Sequence, residues 1–110
     1  MIKTYGVILT PSAQKNLRDI FYYIHYELKA EMAAKSVVGS LEDAINSLNC
    51  FPARHSLVEV EPFRSKGLRK MTVKNYLIYF KIYEQLGVVR VVAVTYAKSN
   101  QIEKLKELSE

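Results

Sequence analysis

Residues 67–98 leave this chain little freedom in what it can fold into. They read Gly-Leu-Arg-Lys-Met-Thr-Val, Lys-Asn, Tyr-Leu-Ile-Tyr-Phe-Lys-Ile-Tyr, Glu-Gln-Leu-Gly and Val-Val-Arg-Val-Val-Ala-Val-Thr-Tyr. β-Branched and aromatic side chains fill three runs of strand length, and turn-forming residues separate them. Lys74-Asn75 suits a two-residue hairpin loop, with Asn75 able to take a positive φ. Gly87, free to enter the left-handed region, closes the next reversal. The pattern predicts an antiparallel meander over 68–73, 76–83 and 88–96. In its middle strand Tyr76, Ile78, Phe80 and Ile82 form one apolar face, and Leu77, Tyr79, Lys81 and Tyr83 a mixed one. A mixed face suits a surface that a partner covers part of the time.

The rest of the chain supplies what the meander packs against. Tyr5 to Thr10 reads as a short strand, and Thr10-Pro11 as the cap and first residue of a helix. From Ser12 to about Leu28 the apolar residues Ala13, Leu17, Ile20, Phe21, Ile24 and Leu28 recur at helical spacing. After a break near Lys29 to Glu31, a second helix buries Ala34, Val37, Val38, Leu41, Ala44, Ile45 and Leu48, and ends before Pro52. The short connection makes the pair a helical hairpin. Residues 51–67 show no period and read as a long surface loop with an extended piece at Leu57 to Val60. Asn100 and Glu103 form a capping signature for a short helix over 99–110, with Ile102, Leu105 and Leu108 on one side. The expected fold is a two-layer α+β domain spanning residues 1–110, in the order β-α-α-β-β-β. Its sheet is mainly antiparallel, and a short C-terminal helix follows.

The 110 residues carry a net charge of +5, and its location matters more than its size. Arg54, Arg64, Lys66, Arg69, Lys70, Lys74 and Lys81 stand against Glu59 and Glu61 between residues 54 and 81, and outside that stretch the signs balance. A solvated sheet edge and a patch for a polyanion or acidic protein are both consistent with this. The single cysteine, Cys50, excludes an internal disulfide, and no histidine has a partner at ligand spacing, so neither metal nor cofactor is expected. No segment approaches membrane-spanning length, and a reducing cytoplasm is the expected compartment.

Several residues together resemble the RelE/ParE superfamily, the toxins of type II toxin–antitoxin modules. They are Ala13-x3-Leu17 and Tyr23-Ile24, Ala34 through Ile45-x2-Leu48, and Phe51-Pro52-x-Arg54. Gly67-x-Arg69-x3-Val73-x2-Tyr76-x-Ile78-x-Phe80 and Val91-x2-Val94-x-Tyr96 complete the pattern. The likeness covers roughly residues 5–98, and the long hairpin is more similar to the ParE branch. The resemblance implies a growth-inhibiting toxin silenced by a cognate antitoxin. ParE-like members act on DNA gyrase, whereas RelE-like members cleave mRNA on the ribosome without metal. An inactive relative or a plain protein-binding module is the third reading.

By the resemblance, Arg69 is the arginine of the second strand, able to grip a phosphate bidentately. Tyr96, at the end of the last strand, stands where family nucleases carry a proton-transfer or stacking group, with Lys98 close by. Arg69, Tyr96 and Lys98 are therefore the catalytic candidates if the chain is a ribonuclease. Arg54, His55, Arg64, Lys66, Arg69, Lys70 and Lys74 are the candidates for binding the target or nucleic acid. Leu77, Tyr79, Lys81 and Tyr83 are the candidate antitoxin surface. The chain departs from the ribonuclease pattern after its last strand, where Tyr96-Ala97-Lys98-Ser99 replaces a His and one or two Arg. That departure favours gyrase over mRNA.

Overall fold

The computed structural model describes residues 2–98. Strand β1 (Gly6–Leu9) leads into α1 (Pro11–Tyr22), and α2 (Glu31–Asn46) returns antiparallel to it. Strands β2 (Arg69–Val73), β3 (Tyr76–Tyr83) and β4 (Val88–Tyr96) then form the meander, within a residue of the expected bounds. The C-terminal helix expected over 99–110 lies outside the described residues.

Local chemistry accounts for the helix ends. Thr10 Oγ1 accepts the Ala13 N–H at 3.1 Å, and Pro11 occupies the first helical position, where its missing N–H is no loss. The first helix is shorter than its periodicity predicts. After Tyr22 it widens into a π-helical turn, Tyr23–Glu27, in which the Leu28 N–H reaches the Tyr23 carbonyl at 3.1 Å. The extra residue turns Leu28 off the buried stripe, and it ends exposed rather than in the core. Lys29 reverses the chain at φ 52°. Asn46 passes into a 3₁₀ turn, Ser47–Asn49, and Pro52 opens another at Pro52–Arg54.

The four strands lie in the order β1-β4-β3-β2, with β1 parallel to β4 and the other pairs antiparallel. β1 ends at Leu9, and side chains from the next elements take over β4 groups beyond it. Thr10 Oγ1 donates to the Val92 carbonyl at 3.2 Å, and Asn16 Oδ1 accepts the Val94 N–H at 3.0 Å. A bulge opposite Tyr79 and Phe80 places Val92 and Ala93 on the same side of the sheet. In the β2–β3 turn the positive φ falls on Lys74 (53°), not on the expected Asn75, while Gly87 takes its expected place at 64°.

The sheet has two covered faces. On the inner face Ala13, Leu41, Ile45 and Leu48 of the helical layer pack against Met71, Ile78, Phe80, Val89, Val91 and Val94. On the outer face a smaller cluster joins Val58 and Leu68 to Leu77, Tyr79, Val92 and Ala93, with Phe63 against it. Residues 51–67, expected as a surface loop, thus contribute a second core. Their extended piece is real: Leu57 bridges Arg69, with Val58 N–H to the Leu68 carbonyl at 2.9 Å and Lys70 N–H to the Ser56 carbonyl at 3.1 Å. This pairing blunts part of the exposed edge of β2.

Candidate functional site

The cations that the sequence gathers into one stretch are spread by the fold over separate places. Arg69 shares the inner side with Met71 and Phe80, its register partner. Its Nη1 donates to the main-chain carbonyls of His55 at 2.7 Å and Ala53 at 3.4 Å. No described carboxylate pairs with it. Arg54 closes the end of the helical layer, with Nη1 donating to the Cys50 and Phe51 carbonyls and Nη2 to Ser47 Oγ at 3.1 Å. Both arginines thereby tie down main-chain carbonyls where helix gives way to loop.

His55 lies between these two arginines, its ring edge-on to Phe80 at 5.9 Å. Its Nε2 is enclosed with no hydrogen-bond partner among the described residues. Burial first, and the Arg54 charge second, hold its pKa below 6.5. A neutral imidazole serving as packing describes this residue.

Arg64 and Lys66 sit exposed on the loop, where Arg64 Nη1 donates to the Val58 carbonyl at 3.3 Å. Lys70 and Lys81 belong to the outer face. Lys74 and Lys98 are exposed at the far end of the sheet. There Tyr76 and Tyr96 meet edge to face with centroids 5.7 Å apart, and with Ile20, Tyr23, Ile24 and Val37 they line an open groove of ≈ 830 Å³. Burial, then the neighbouring phenols of Tyr96 and Tyr23, push the Tyr76 hydroxyl up, away from any role as a base at neutral pH.

Arg69 and Tyr96 are not brought together. Their register partners on β3, Phe80 and Tyr76, are four residues apart, which is about 13 Å along the strand. Of the candidate antitoxin surface, Leu77 and Tyr79 are closed over by the chain's own loop, at 9% and 2% exposure, while Lys81 and Tyr83 remain half-buried at its rim. Sequence reasoning passed over Arg90, which stands directly opposite Lys81. Its position between Val89 and Val91, both of the inner core, was the available signal that it faces outward. Among the described residues no cluster of His, Cys, Asp and Glu suits a metal, and no helix is long and apolar enough to cross a membrane.

The result is a helical hairpin laid over a four-stranded sheet whose strands carry only basic charges. The fold superposes on a chain of the chromosomal ParDE system from P. aeruginosa with a TM-score of 0.69 at 15% identity, covering 87% of this chain and 99% of that one. The RelBE2 toxin–antitoxin complex from Mycobacterium tuberculosis gives a TM-score of 0.62 at 18% identity, over 89% and 98% of the two chains. A mutant E. coli RelE toxin in the free state gives 0.60 at 13% identity, over 92% of each. Such identities speak for the fold alone. No curated protein matches the sequence. The sequence model of the ParE toxin of type II toxin–antitoxin systems, parDE, matches residues 7–100, and the chain belongs to that family.

Proposed function

We propose that this toxin arrests growth by binding DNA gyrase, without covalent chemistry of its own, and that a cognate antitoxin silences it. The observation that carries the reading is the scatter of the ribonuclease candidates: Arg69 is engaged by carbonyls at one end of β2, and Tyr96 lies at the other end of the sheet. Binding needs no converged acid and base, whereas strand cleavage does. The family match over residues 7–100 and the ParDE neighbour support the same branch. A gyrase target places the protein in the cytoplasm.

The test is a supercoiling assay with purified toxin and gyrase. Inhibition that saturates with toxin, together with growth arrest on induction, is the expected result. Full supercoiling at saturating toxin removes the gyrase reading, and undisturbed growth would leave a plain binding module.

One observation favours a ribosomal nuclease instead: the edge-to-face Tyr76–Tyr96 pair near Lys74 and Lys98 offers phenols and ammonium groups to a nucleotide. Primer extension on translated mRNA should then show cuts in the ribosomal A site that vanish in Tyr96→Phe. Under either reading the antitoxin meets the outer face at the half-buried Lys81 and Tyr83, because Leu77 and Tyr79 are already covered.

A further inference from the structure

On the helical side of the sheet α1 and α2 enclose an open groove of ≈ 430 Å³, with Leu9, Leu17, Phe21, Tyr22 and Val38 on its walls. A helix that covers a sheet ordinarily keeps its solvent side polar. Here that side runs into an aromatic cluster. The Phe21 ring meets Tyr22 edge to face at 6.1 Å and stacks on His25 at 5.5 Å, and Tyr22 lies 5.7 Å from Tyr26. Tyr22 and Tyr26 are nonetheless 53% and 62% exposed. Such ring contacts hold the side chains in place before anything binds, so covering them costs little conformational entropy. Charge is arranged differently from that of the sheet. Residues 11–46 hold four Lys or Arg and five Asp or Glu, so the +5 of the chain lies outside the helical layer. Arg18 lines the groove from α1 and Glu42 from α2, both exposed. Among the described residues neither makes a hydrogen bond or an ion pair.

We infer that this groove is where a second copy of the chain docks, through an isologous two-fold contact. An axis through the groove carries each wall onto the opposite wall of the other copy, so Arg18 of either chain meets Glu42 of the other. The exposed tyrosines, the half-buried apolar lining and the stems of the charged pair offer roughly 500 Å² per copy, and two copies bury about 1,000 Å², the lower edge of specific interfaces. A dimer of that size is reversible and forms with concentration. A second copy suits the site better than a partner of one charge sign, because the groove sets opposite signs on opposite walls with no excess of either. Two chains of net +5 also approach most easily where that excess is absent. The inference goes beyond the gyrase and ribosome readings and holds under either. It leaves the outer face of the sheet, on the other side from the helices, to the antitoxin.

The experiment is sedimentation velocity on the purified full chain from about 5 to 300 μM, a span set by the small interface. The mass should move from one copy to two across that range. Arg18→Glu and Glu42→Arg each oppose like charges at both symmetry-related contacts, and each alone should weaken self-association by about tenfold. Mixed in equal amounts, the two variants should dimerise with each other at least as tightly as the parent, because every contact then pairs opposite signs. Tyr22→Ser/Tyr26→Ser should also lose about tenfold. All four positions are exposed, so the substitutions leave the core intact. A parent chain that stays a single copy at the top of the range overturns the inference. A dimer of unchanged strength in these variants, or charge variants that stay apart when mixed, would place the contact elsewhere and overturns it too. No self-association in the parent, with antitoxin affinity lost in Tyr22→Ser/Tyr26→Ser, would give the groove to the inhibitor instead.

Discussion

The two faces of one sheet are closed here by different means. Two regular helices seal the inner face along most of its length, and their buried residues interdigitate with Phe80 and the valines of β4. The outer face is sealed by an irregular loop that supplies Val58 and Phe63 and, among the described residues, stops short of the Ile8–Arg90–Lys81 row. Regular elements bury a continuous stripe and hold the fold. A loop with few buried contacts opens at lower free energy, and the surface it leaves exposed is free to carry recognition.

Removing the largest inner-face contact tests that division most strongly. Phe80→Ala should lower stability by about 3–5 kcal/mol, enough to threaten folding, as read by urea denaturation. Arg69→Ala comes next. It strips the charged donor from the His55 and Ala53 carbonyls, at an expected cost of about 1.5–3 kcal/mol, and it loosens the start of the loop. An Arg69→Ala protein as stable as the parent would free that arginine for a role with ligands. Phe63→Ala should cost only about 1 kcal/mol, since this half-buried ring belongs to the outer cluster alone. Amide exchange at Val58 and Lys70 should quicken in that variant while β3 and β4 stay protected. Uniform quickening would mean that the two faces open as one unit.

Much of the inner face was legible in the sequence, because its periods are local. β-Branched runs bounded by Lys74-Asn75 and Gly87 mark the meander, and Thr10-Pro11 marks the first helix within a residue. The misses arise where distant residues decide. The parallel pairing of β1 with β4 joins Gly6 to Val88, and no local pattern records it. The π-helical turn depends on how Tyr23 to Glu27 fit against the second helix, and it moved Leu28 into solvent against its periodicity. Residues 51–67 lack a period because an irregular segment packs through single anchors such as Val58. The candidate site suffered most from this, since the cations contiguous in sequence alternate between faces and ends of the sheet.

The smallest effect concerns His55, which couples the two faces: its ring touches the inner-core Phe80, and the segment it begins leads to the outer cluster. Its folded pKa is depressed, so the unfolded chain takes up a proton at higher pH than the folded one. This contribution to stability is complete above the ordinary imidazole value near 6.5 and is lost as pH falls below it. Glu61, held low by the Ser65 hydroxyl and N–H, and Glu84, held low by Lys3 and Tyr5, lose theirs in a more acid window below 4.5. His55→Phe should therefore flatten the decline of the urea midpoint just below pH 6.5 and leave the more acid limb unchanged. In the parent, exchange at Val58 and Lys70, whose N–H groups hold the loop to β2, should quicken in the same window before β3 and β4 respond. If His55→Phe instead reproduces the parent's decline, the imidazole is not what links acid pH to the loop, and the separation of the two faces rests on packing alone.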